Sequence, residues 1–486
     1  MRKAFSRIGF GTARTLQGSE AHEAALAAAL RAGVSLIDTS ANYGAGGSER
    51  LVGDALRAYG EEAGAEAAAA VTVVSKFGWI QDEAVGAEGA GAAGAKPLPA
   101  EATVLQEGLT HSIHPTVMRE QLAASRERLG FAIQERGGGA ARSIDCYMLH
   151  NPEYFLVREL RLDEGAGKQI TEPQQVALAR GELDRRMVAA FAALEEEVRA
   201  GTIGSYGVSS GAFALGANEV GALPYETLPA LAAQAARTLA KAANGAGPGG
   251  SGLAAVQFPA NLLEPNGLAG VGQWARSHGL HSLVHRPLTG LDGGQAWRLA
   301  QSVDDGEDEP LKSAEEQNAD WDSVMRSLFT HFTPPPPAIA GQPSSAESAL
   351  ADACAIVCQL ASELDRDADS FASFMEYEDR LMQSVVPVLS ESFEDMDEGS
   401  TLMLQFFFER FGERMRAKCE ARTLQHVASA PHGHALPEGQ MLQHYALRWL
   451  LASQHVSAVL VGMTSEQHVA SATSCLHDEE EWTIQF

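Results

Sequence analysis

Features that mark secreted and metal-bound proteins are scarce in this 486-residue chain. It has five cysteines, an odd and widely scattered set: Cys146, Cys354, Cys358, Cys419 and Cys475. Such a set indicates reduced thiols in a reducing compartment rather than a disulfide framework. Only Cys354 and Cys358 lie close together, and their i, i+4 spacing on an apolar helical face favours core packing over metal binding.

Long apolar runs are also missing. No run of about 20 apolar residues occurs, and the amino-terminal stretch carries Arg2, Lys3 and Arg7 without the apolar segment of a secretory signal. The sequence therefore predicts a cytoplasmic protein with neither a secretory signal nor a transmembrane segment. An organelle location stays open.

Positive charge is in short supply. The chain has 36 Lys and Arg residues against 63 Asp and Glu residues, a formal net charge of −27. A surface of this sign repels nucleic acid phosphates and anionic lipids, so we expect no nucleic acid partner and no membrane partner. A small molecule or another protein remains as the partner.

What the chain does have is the composition of a globular protein with a large core. Hydrophobic residues make up 45% and charged residues 20% of the sequence, far from the composition of disordered chains. Its length suits one large barrel with insertions or two to three ordinary domains.

A unit repeats along most of the sequence: a short Val/Ile/Leu run, a polar or glycine loop, and an Ala/Leu/Glu/Arg-rich helical pattern. The apolar runs predict eight strands, at about 7–13, 35–39, 71–76, 144–150, 205–209, 254–258, 282–285 and 458–461. The helical patterns between them cover 19–32, 49–59, 115–129, 185–200, 228–243, 271–278 and 440–453. Nearly all-apolar strands that alternate with helices predict an α/β fold, a (β/α)₈ TIM barrel.

The main departure from this repeat is an insertion after the seventh strand. We predict that residues 1–288 and 439–486 form the barrel and that 289–438 are inserted. The insertion begins with an acidic and proline-rich linker, around Asp304–Glu309 and Pro334–Pro337, and continues with apolar positions at helical spacing. Three or four helices are expected there, either as a lid or interaction subdomain or as a thickened barrel wall.

Three predicted strands end on ionisable residues. Asp38 closes the second strand and Tyr43 follows on its loop, while Lys76 and His150 close the next two strands. The carboxyl ends of barrel strands meet at one mouth, where catalytic residues gather. Each residue also has an ordinary reading: Asp38 as a turn former, Lys76 as a surface lysine and His150 as a core histidine. A metal site at His150 with His281 or His285 lacks a carboxylate partner, so no metal is predicted.

Short motifs in a fixed order make the chain resemble the aldo-keto reductase superfamily. They are Gly9-Phe-Gly-Thr12, Ile37-Asp-Thr-Ser-Ala-Asn-Tyr-Gly44 with Ser48-Glu49, Val74-Ser-Lys-Phe-Gly78, residues 145–152, residues 204–210, Gln257, Arg286-Pro-Leu288 and Val461-Gly462. Each motif is weak alone, but their order and spacing along eight units carry the resemblance.

The resemblance implies an enzyme, an oxidoreductase that moves a hydride between NADP(H) and a small aldehyde, ketone, sugar or alcohol. Tyr43 would donate the proton, and Lys76 would lower its pKa. Asp38 would pair with Lys76. His150 would hydrogen-bond and orient the substrate carbonyl oxygen and help to stabilise developing alkoxide charge.

The resemblance also implies a set of cofactor-binding residues. They are Gly11, Thr12, Ser209, Ser210, Gln257, His285, Arg286, Leu288, Gly462, Thr464 and Ser465. The nicotinamide amide would be held by Ser209, Ser210 and Gln257, where Ser210 replaces the asparagine most common in the family. His285 stands where the family usually stacks a tyrosine under the nicotinamide ring, and a protonated imidazole there would repel the oxidised cofactor.

The adenosine end departs further from the family. After the eighth strand the family often places a Lys or Arg on the 2′-phosphate, whereas residues 462–468 here contain neither. NADP is the expected cofactor, with NAD as the alternative. A second function stays open: a nicotinamide-binding redox sensor or scaffold that acts on a protein partner through the insertion. A degenerate barrel without cofactor is a third.

Overall fold

The structure is a computed structural model. It describes residues 3–81, 97–131, 142–164, 166–216, 218–242, 251–301, 314–333, 345–371, 373–392 and 396–476. The chain divides into two compact units, Met1–Leu288 with His444–Phe486 and Thr289–Gln443. The predicted linker motifs, Asp304–Glu309 and Pro334–Pro337, lie outside the described residues.

The first unit is built on a closed barrel of eight parallel strands. The strands in the described ranges are β1 Ile8–Gly11, β2 Leu36–Asp38, β3 Thr72–Phe77, β4 Trp79–Gln81, β5 Thr103–Gln106, β6 Leu109–His111, β7 Cys146–His150, β8 Tyr206–Ser209, β9 Leu253–Pro259, β10 His281–His285, β11 Thr289–Asp292, β12 Gln295–Arg298 and β13 Ala458–Val461. Around the barrel the order is β1-β13-β10-β9-β8-β7-β3-β2, and β2 pairs with β1 to close it. The predicted (β/α)₈ barrel is confirmed, and all eight predicted strands are its strands.

Helices cover the outer face of the sheet, so the strands are buried on both faces. They are α1 Glu20–Arg31, α2 Gly47–Ala63, α3 Ala65–Ala70, α4 Pro115–Arg128, α5 Tyr154–Glu159, α6 Pro173–Ala200, α7 Leu228–Ala242, α8 Gln273–Ser277, α14 Leu442–Ala452 and α15 Glu466–Ser474. Helix α6 begins twelve residues before the predicted start at Arg185, and a π-helical turn, Leu268–Gly272, precedes α8.

Two small sheets were not predicted. A three-stranded antiparallel sheet in the order β4-β6-β5 follows barrel strand β3, and β11 and β12 form a hairpin. In the first of them, Trp79 pairs with His111 across β4 and β6. Both strands are three residues long, which is too short for an alternating pattern to identify them.

The second unit has a helical core of its own. Its helices are α9 Ala314–His331, α10 Ser345–Asp367, α11 Phe374–Arg380, α12 Val386–Ser392 and α13 Glu398–Ser429, and a π-helical segment, Leu381–Val385, joins α11 to α12. Trp321, Phe407 and Phe411 pack together at ring distances of 5.3–5.9 Å. The predicted three or four helices are therefore present as four continuous helical stretches in the described part of the insertion.

None of the helices in the described ranges combines the length and the apolarity needed to cross a membrane.

Candidate active site

Strand register explains why the predicted side chains share one mouth. Buried residues from six barrel strands form one interior cluster: Leu36, Val74, Cys146, Met148, Ala255, Leu283, Ala458 and Leu460. Residues two positions apart on a strand face the same side. Asp38, Lys76, His150, Gln257 and His285 each lie two residues beyond a member of this cluster, so they form the next interior layer toward the carboxyl ends.

Tyr43 reaches this layer from a left-handed loop. Gly44, Ala45 and Gly46 all have positive φ, at 53°, 51° and 85°. At Gly46 a Cβ would lie 2.7 Å from the Arg128 side chain, so a larger residue would strain the backbone and displace Arg128. The loop is followed by Glu49, whose buried carboxylate accepts hydrogen bonds from Ser75 Oγ and Arg128 Nε at 2.6 Å each. The start of α2 is thereby tied to the strand that carries Lys76.

The Lys76 ammonium is buried and fully bonded. It donates to Asp38 Oδ2 at 2.7 Å, to the Thr39 carbonyl at 3.0 Å and to Tyr43 OH at 3.3 Å. An ammonium has three N–H donors, so this set uses all of them. Tyr43 OH accepts from Lys76 and keeps its own hydrogen for another partner.

Burial is the largest influence on the pKa values of Tyr43 and Lys76. Burial raises the pKa of Tyr43, Lys76 lowers it and Asp38 raises it, and the net shift is upward from about 10. Lys76 lowers the pKa of Tyr43 as the sequence predicts, but burial raises it by more. Burial alone would lower the pKa of Lys76, but Asp38 and Tyr43 raise it, and its net shift is upward. Tyr43 is therefore a phenol, and Lys76 an ammonium, near neutral pH.

His150 is held at both its ring and its backbone. Its Nδ1 lies 3.2 Å from Ser40 Oγ, and Ser40 Oγ donates to Asn42 Oδ1 at 2.6 Å. His111 Nε2 donates to the His150 carbonyl oxygen at 2.7 Å. Burial, followed by the charges of Lys76, His111 and His285, holds the pKa of His150 well below its usual value. The ring is therefore neutral.

Ser40 and His111 are contacts that the sequence argument missed. Ser40 stands inside the motif that carries the resemblance, and its hydroxyl two residues after Asp38 was an available signal. His111 lies on the short strand β6, where no pattern marked it. Burial lowers the pKa of His111 to about 4.

Aromatic rings from the unpredicted sheet line one side of the mouth. Trp79 lies 4.7 Å from Tyr154 and 6.3 Å from His150, measured between ring centroids. Trp79 Nε1 donates to Asn151 Oδ1 at 3.4 Å. Asn151 follows His150 directly and has a φ of 56°, in the left-handed region. These contacts hold an unfavourable backbone conformation next to His150.

Two of the predicted cofactor residues, Ser209 and Gln257, are linked to Asp38 through hydrogen bonds. Ser209 Oγ donates to Gln257 Oε1 at 2.6 Å, and Gln257 Nε2 donates to Asp38 Oδ1 at 2.7 Å. Ser210 Oγ accepts from the Ala212 backbone N–H at 3.0 Å. The Ser209 oxygen can still accept and Gln257 has one N–H left, and this pair of groups can bond a primary carboxamide.

Strand β10 ends on a neutral imidazole, His285, which is followed by an arginine held in an ion pair. Burial lowers the pKa of His285 to about 3, with Arg286 and Lys76 adding to the effect. Its imidazole is therefore neutral, which removes the predicted repulsion with a cationic ring. Arg286, at a φ of 55°, forms an ion pair with Glu264 Oε1 at 2.7 Å. Leu288 is partly exposed beyond it.

The residues predicted for the adenosine end lie at the ends of β1 and β13. Gly11 and Gly462 adjoin each other there, and a Cβ on Gly462 would lie 3.9 Å from the Gly11 carbonyl oxygen. Thr12 is buried, and its hydroxyl donates to the Asp38 carbonyl at 3.1 Å. Ser465 caps α15 by accepting from His468 N at 3.2 Å, and Thr464 Oγ1 lies 3.2 Å from His468 Nδ1.

Glu466 occupies the first turn of α15. A carboxylate there opposes a second anion near the helix amino terminus. Among the described residues, no group of three His, Cys, Asp or Glu side chains is arranged to hold a metal ion.

Three comparisons with known proteins bear on this site. The model of the aldo/keto reductase family matches residues 7–215. No curated protein matches the sequence.

Three of the solved structures that resemble the chain are enzymes with names of this kind. They are the aldo-keto reductase AKR11C1 from Bacillus halodurans in its holo form (14% identity, 98% of this chain and 87% of that chain, TM-score 0.39), the glycerol dehydrogenase AKR11B4 from Gluconobacter oxydans (14%, 100% and 89%, 0.43) and an aldo/keto reductase from Klebsiella pneumoniae in complex with NADP and acetate (16%, 98% and 87%, 0.40). At these scores the likenesses carry no argument about activity, and the fold rests on the barrel topology. Residues 7–215, which include Asp38, Tyr43, Lys76 and His150, therefore match the aldo/keto reductase family, a family of oxidoreductases that use nicotinamide cofactors.

Proposed function

We propose that this chain catalyses hydride transfer between NADP(H) and a small carbonyl or alcohol substrate, with Tyr43 as the proton donor and acceptor. The observation that carries the proposal is the buried trio at the end of β2 and β3. Lys76 Nζ lies 2.7 Å from Asp38 and 3.3 Å from Tyr43 OH, so a phenol with a free hydrogen faces the mouth. The cofactor, when bound, supplies or accepts the hydride at the substrate carbon.

The residues of the chain divide the remaining tasks. In reduction, Tyr43 gives its proton to the substrate oxygen as the oxygen gains negative charge. Lys76 then stabilises the phenolate that remains, and Asp38 keeps the ammonium in place. In oxidation the same groups act in reverse, and Tyr43 must begin as phenolate. His150 contacts the substrate oxygen.

The proposed cofactor contacts follow from the donor set. Ser209, Ser210 and Gln257 hold the carboxamide, and the neutral imidazole of His285 lies against the ring. Gly11, Thr12, Leu288 and Gly462 form the backbone and apolar wall beyond it. The hydroxyls of Thr464 and Ser465 with the amino terminus of α15 take the adenosine phosphate, and Arg286 adds positive charge.

Binding of reduced cofactor tests this proposal. We expect quenching or enhancement of nicotinamide fluorescence when NADPH or NADH is added, and turnover of a panel of small aldehydes. Because Glu466 stands near the adenosine phosphate and no Lys or Arg lies in residues 462–468, the preference for NADPH should be modest, about tenfold or less in Kd. Absence of any signal with both cofactors would refute the proposal.

One observation favours a second candidate function, a nicotinamide-binding scaffold that acts through the helical unit. The second unit has its own aromatic core around Trp321, Phe407 and Phe411. A unit with its own core can carry an interaction surface that does not depend on turnover.

A further inference from the structure

The helical unit, residues 289–443, carries most of the negative charge of the chain. It contains 28 Asp and Glu residues against 10 Lys and Arg residues, a net charge of −18. The first unit has a net charge of −9 in more than twice as many residues. A surface of one sign repels molecules of that sign and attracts the opposite sign. A macromolecule that binds the helical unit should therefore be basic.

One face of helix α13 joins this charge to exposed apolar side chains. Leu402 and Phe406 lie one helical turn apart and are 57% and 39% exposed. Phe406 is the only phenylalanine or tryptophan exposed to this extent among the described residues. Glu409 and Glu413 follow Phe406 by three and seven positions, so they lie on the same face of the helix.

A groove runs between helix α9 and this face of α13. The two helices pack together through Trp321, whose ring lies 5.3 Å from that of Phe411. Beside this contact is a cavity of about 240 Å³ that is lined by the buried residues Trp321 and Val324. Ser323 and Ser327, one turn apart on α9, line it as well, and their small side chains leave the space open.

The rim of the groove is acidic. Phe406, Arg410 and Glu413 line the cavity from α13, and Asp320 lines it from α9. Arg410 is already paired, because it donates to Glu413 Oε2 at 2.8 Å and lies 5.7 Å from the Phe406 ring. Asp320 and Glu409 form no hydrogen bond or ion pair with the residues that the structure describes. Two carboxylates are therefore available to a cationic partner.

The dimensions of the groove fit a helix. From Leu402 to Glu413 the exposed face of α13 extends for about 16 Å, or three turns. A cavity of about 150 Å³ admits benzene, so the larger cavity beside Phe406 can hold a leucine or phenylalanine side chain. Leu402 adds apolar surface one turn beyond the cavity. In helix-in-groove recognition, apolar side chains one turn apart enter such a groove while the polar face of the helix meets its rim.

Charge decides between the possible occupants. A second copy of this chain would bring another unit of net charge −18 to the groove, and the two would repel each other. Nucleic acids and anionic membranes are repelled for the same reason. A basic helix is attracted, and its association should be fast and sensitive to salt.

We propose that the groove between α9 and α13 binds an amphipathic helix of a partner protein that carries Lys or Arg beside its apolar face. One apolar side chain of the partner enters the cavity next to Phe406, and basic side chains pair with Asp320 and Glu409. This inference rests on the scaffold function, the second candidate above, and specifies the chemistry of its partner.

A synthetic helix tests the proposal on the full-length protein. The probe is a fluorescein-labelled peptide of leucine and lysine, about 18 residues long, with all its leucines on one face. We expect its fluorescence anisotropy to rise with a Kd of about 10 μM or below, and binding should weaken at about 0.5 M salt. A peptide of the same composition with its leucines spread around the helix, and a leucine and glutamate peptide, should each bind at least about tenfold more weakly.

Variants locate the binding site. Phe406→Asp removes the ring and adds negative charge, so attraction by charge alone would strengthen, whereas we expect binding to weaken by at least about tenfold. Ser327→Trp fills the groove from α9 and should weaken binding as well. Leu178→Asp is the matched control, because Leu178 is a 69% exposed leucine on helix α6 of the first unit. It should bind the peptide as the wild type does, and circular dichroism checks that each variant is folded.

Three results would overturn the inference. The first is wild-type affinity for the leucine and lysine peptide in folded Phe406→Asp or folded Ser327→Trp. The second is equal binding of the leucine and glutamate peptide. The third is a dimer of the wild type in sedimentation that is lost in Phe406→Asp, which would make a second copy the occupant.

Titration of the same samples with NADPH separates this inference from the proposed function. An intact NADPH signal without peptide binding would refute the groove alone. Peptide binding without an NADPH or NADH signal would refute the cofactor function and leave the groove in place.

Discussion

At the residue scale, the sequence located the ionisable side chains of the mouth but not the neighbours that set their properties. Asp38, Lys76 and His150 could be found because each closes an apolar strand. Ser40 lies 110 positions before His150 in the sequence, and His111 lies 39 positions before it. Contacts over such distances depend on loop conformation, which no local pattern encodes.

Burial is the second quantity that the residues alone did not reveal. The pKa of Tyr43 rises despite Lys76, and the pKa values of His150 and His285 fall, because these groups lie inside a closed barrel mouth. The pKa of His285 is about 3, so its imidazole is neutral near pH 7 and does not repel a positively charged nicotinamide ring.

His111 should make stability depend on pH. An unfolded histidine titrates near 6.5 and folded His111 near 4, so the unfolded state binds the proton first as the pH falls. The stability contribution is complete above about pH 6.5 and declines between pH 6.5 and 4, by about 3 kcal/mol at most. Glutamine does not titrate and can still donate to the His150 carbonyl. Chemical denaturation of His111→Gln should therefore show a smaller loss of stability between pH 7 and 4 than the wild type.

The control for this prediction is His278→Gln, because His278 is exposed. It should lose stability with pH as the wild type does. Identical pH dependence of the wild type and His111→Gln would show that His111 is not the titrating group.

At the element scale, the strands were predictable because a barrel strand is buried on both faces. Strands β3, β7, β8 and β13 are buried at every position, so they stand out as apolar runs. Helix α6 was predicted too short, because its first turn and a half, from Pro173 to Leu178, is mostly exposed and the buried positions begin at Ala179. The short strands β4 and β6 carry three residues each, and a pattern of period two cannot be read from three residues.

In the helical unit, apolar residues at helical spacing are not all buried. Leu350 and Leu402 were included in predicted apolar faces, but they are 59% and 57% exposed. Each lies near the beginning of its helix, α10 or α13, where the helix extends past the packed core. Phe407 and Phe411, further along α13, are buried as the spacing predicts.

At the scale of the whole molecule, we propose that the two compact units are separate domains. Every residue that we assign to the catalytic corner or to the cofactor lies in residues 1–288 or 444–486, the first unit. The second unit, residues 289–443, has its own hydrophobic core. The barrel should therefore bind cofactor by itself.

Replacing residues 289–443 with a short Gly/Ser linker tests this division. We expect the deletion variant to fold and to give the same fluorescence change with NADPH as the full chain, because the proposed binding residues remain. Turnover retained together with loss of a protein partner would support the scaffold function for the second unit, whereas loss of turnover would indicate a lid. A folded variant that no longer binds NADPH would contradict the assignment of the cofactor site to the barrel.

The central claim, that Tyr43 transfers the proton, is tested most directly by NADPH-dependent aldehyde reduction in Tyr43→Phe beside the wild type. Tyr225→Phe is the matched control, because Tyr225 packs against Trp274 of α8 and is not among the residues assigned to the substrate or the cofactor. We predict that Tyr43→Phe loses at least about 100-fold in kcat while its Kd for NADPH stays within about twofold of the wild-type value, and that Tyr225→Phe behaves as the wild type. Equal turnover by the wild type and Tyr43→Phe across the aldehyde panel would contradict the claim.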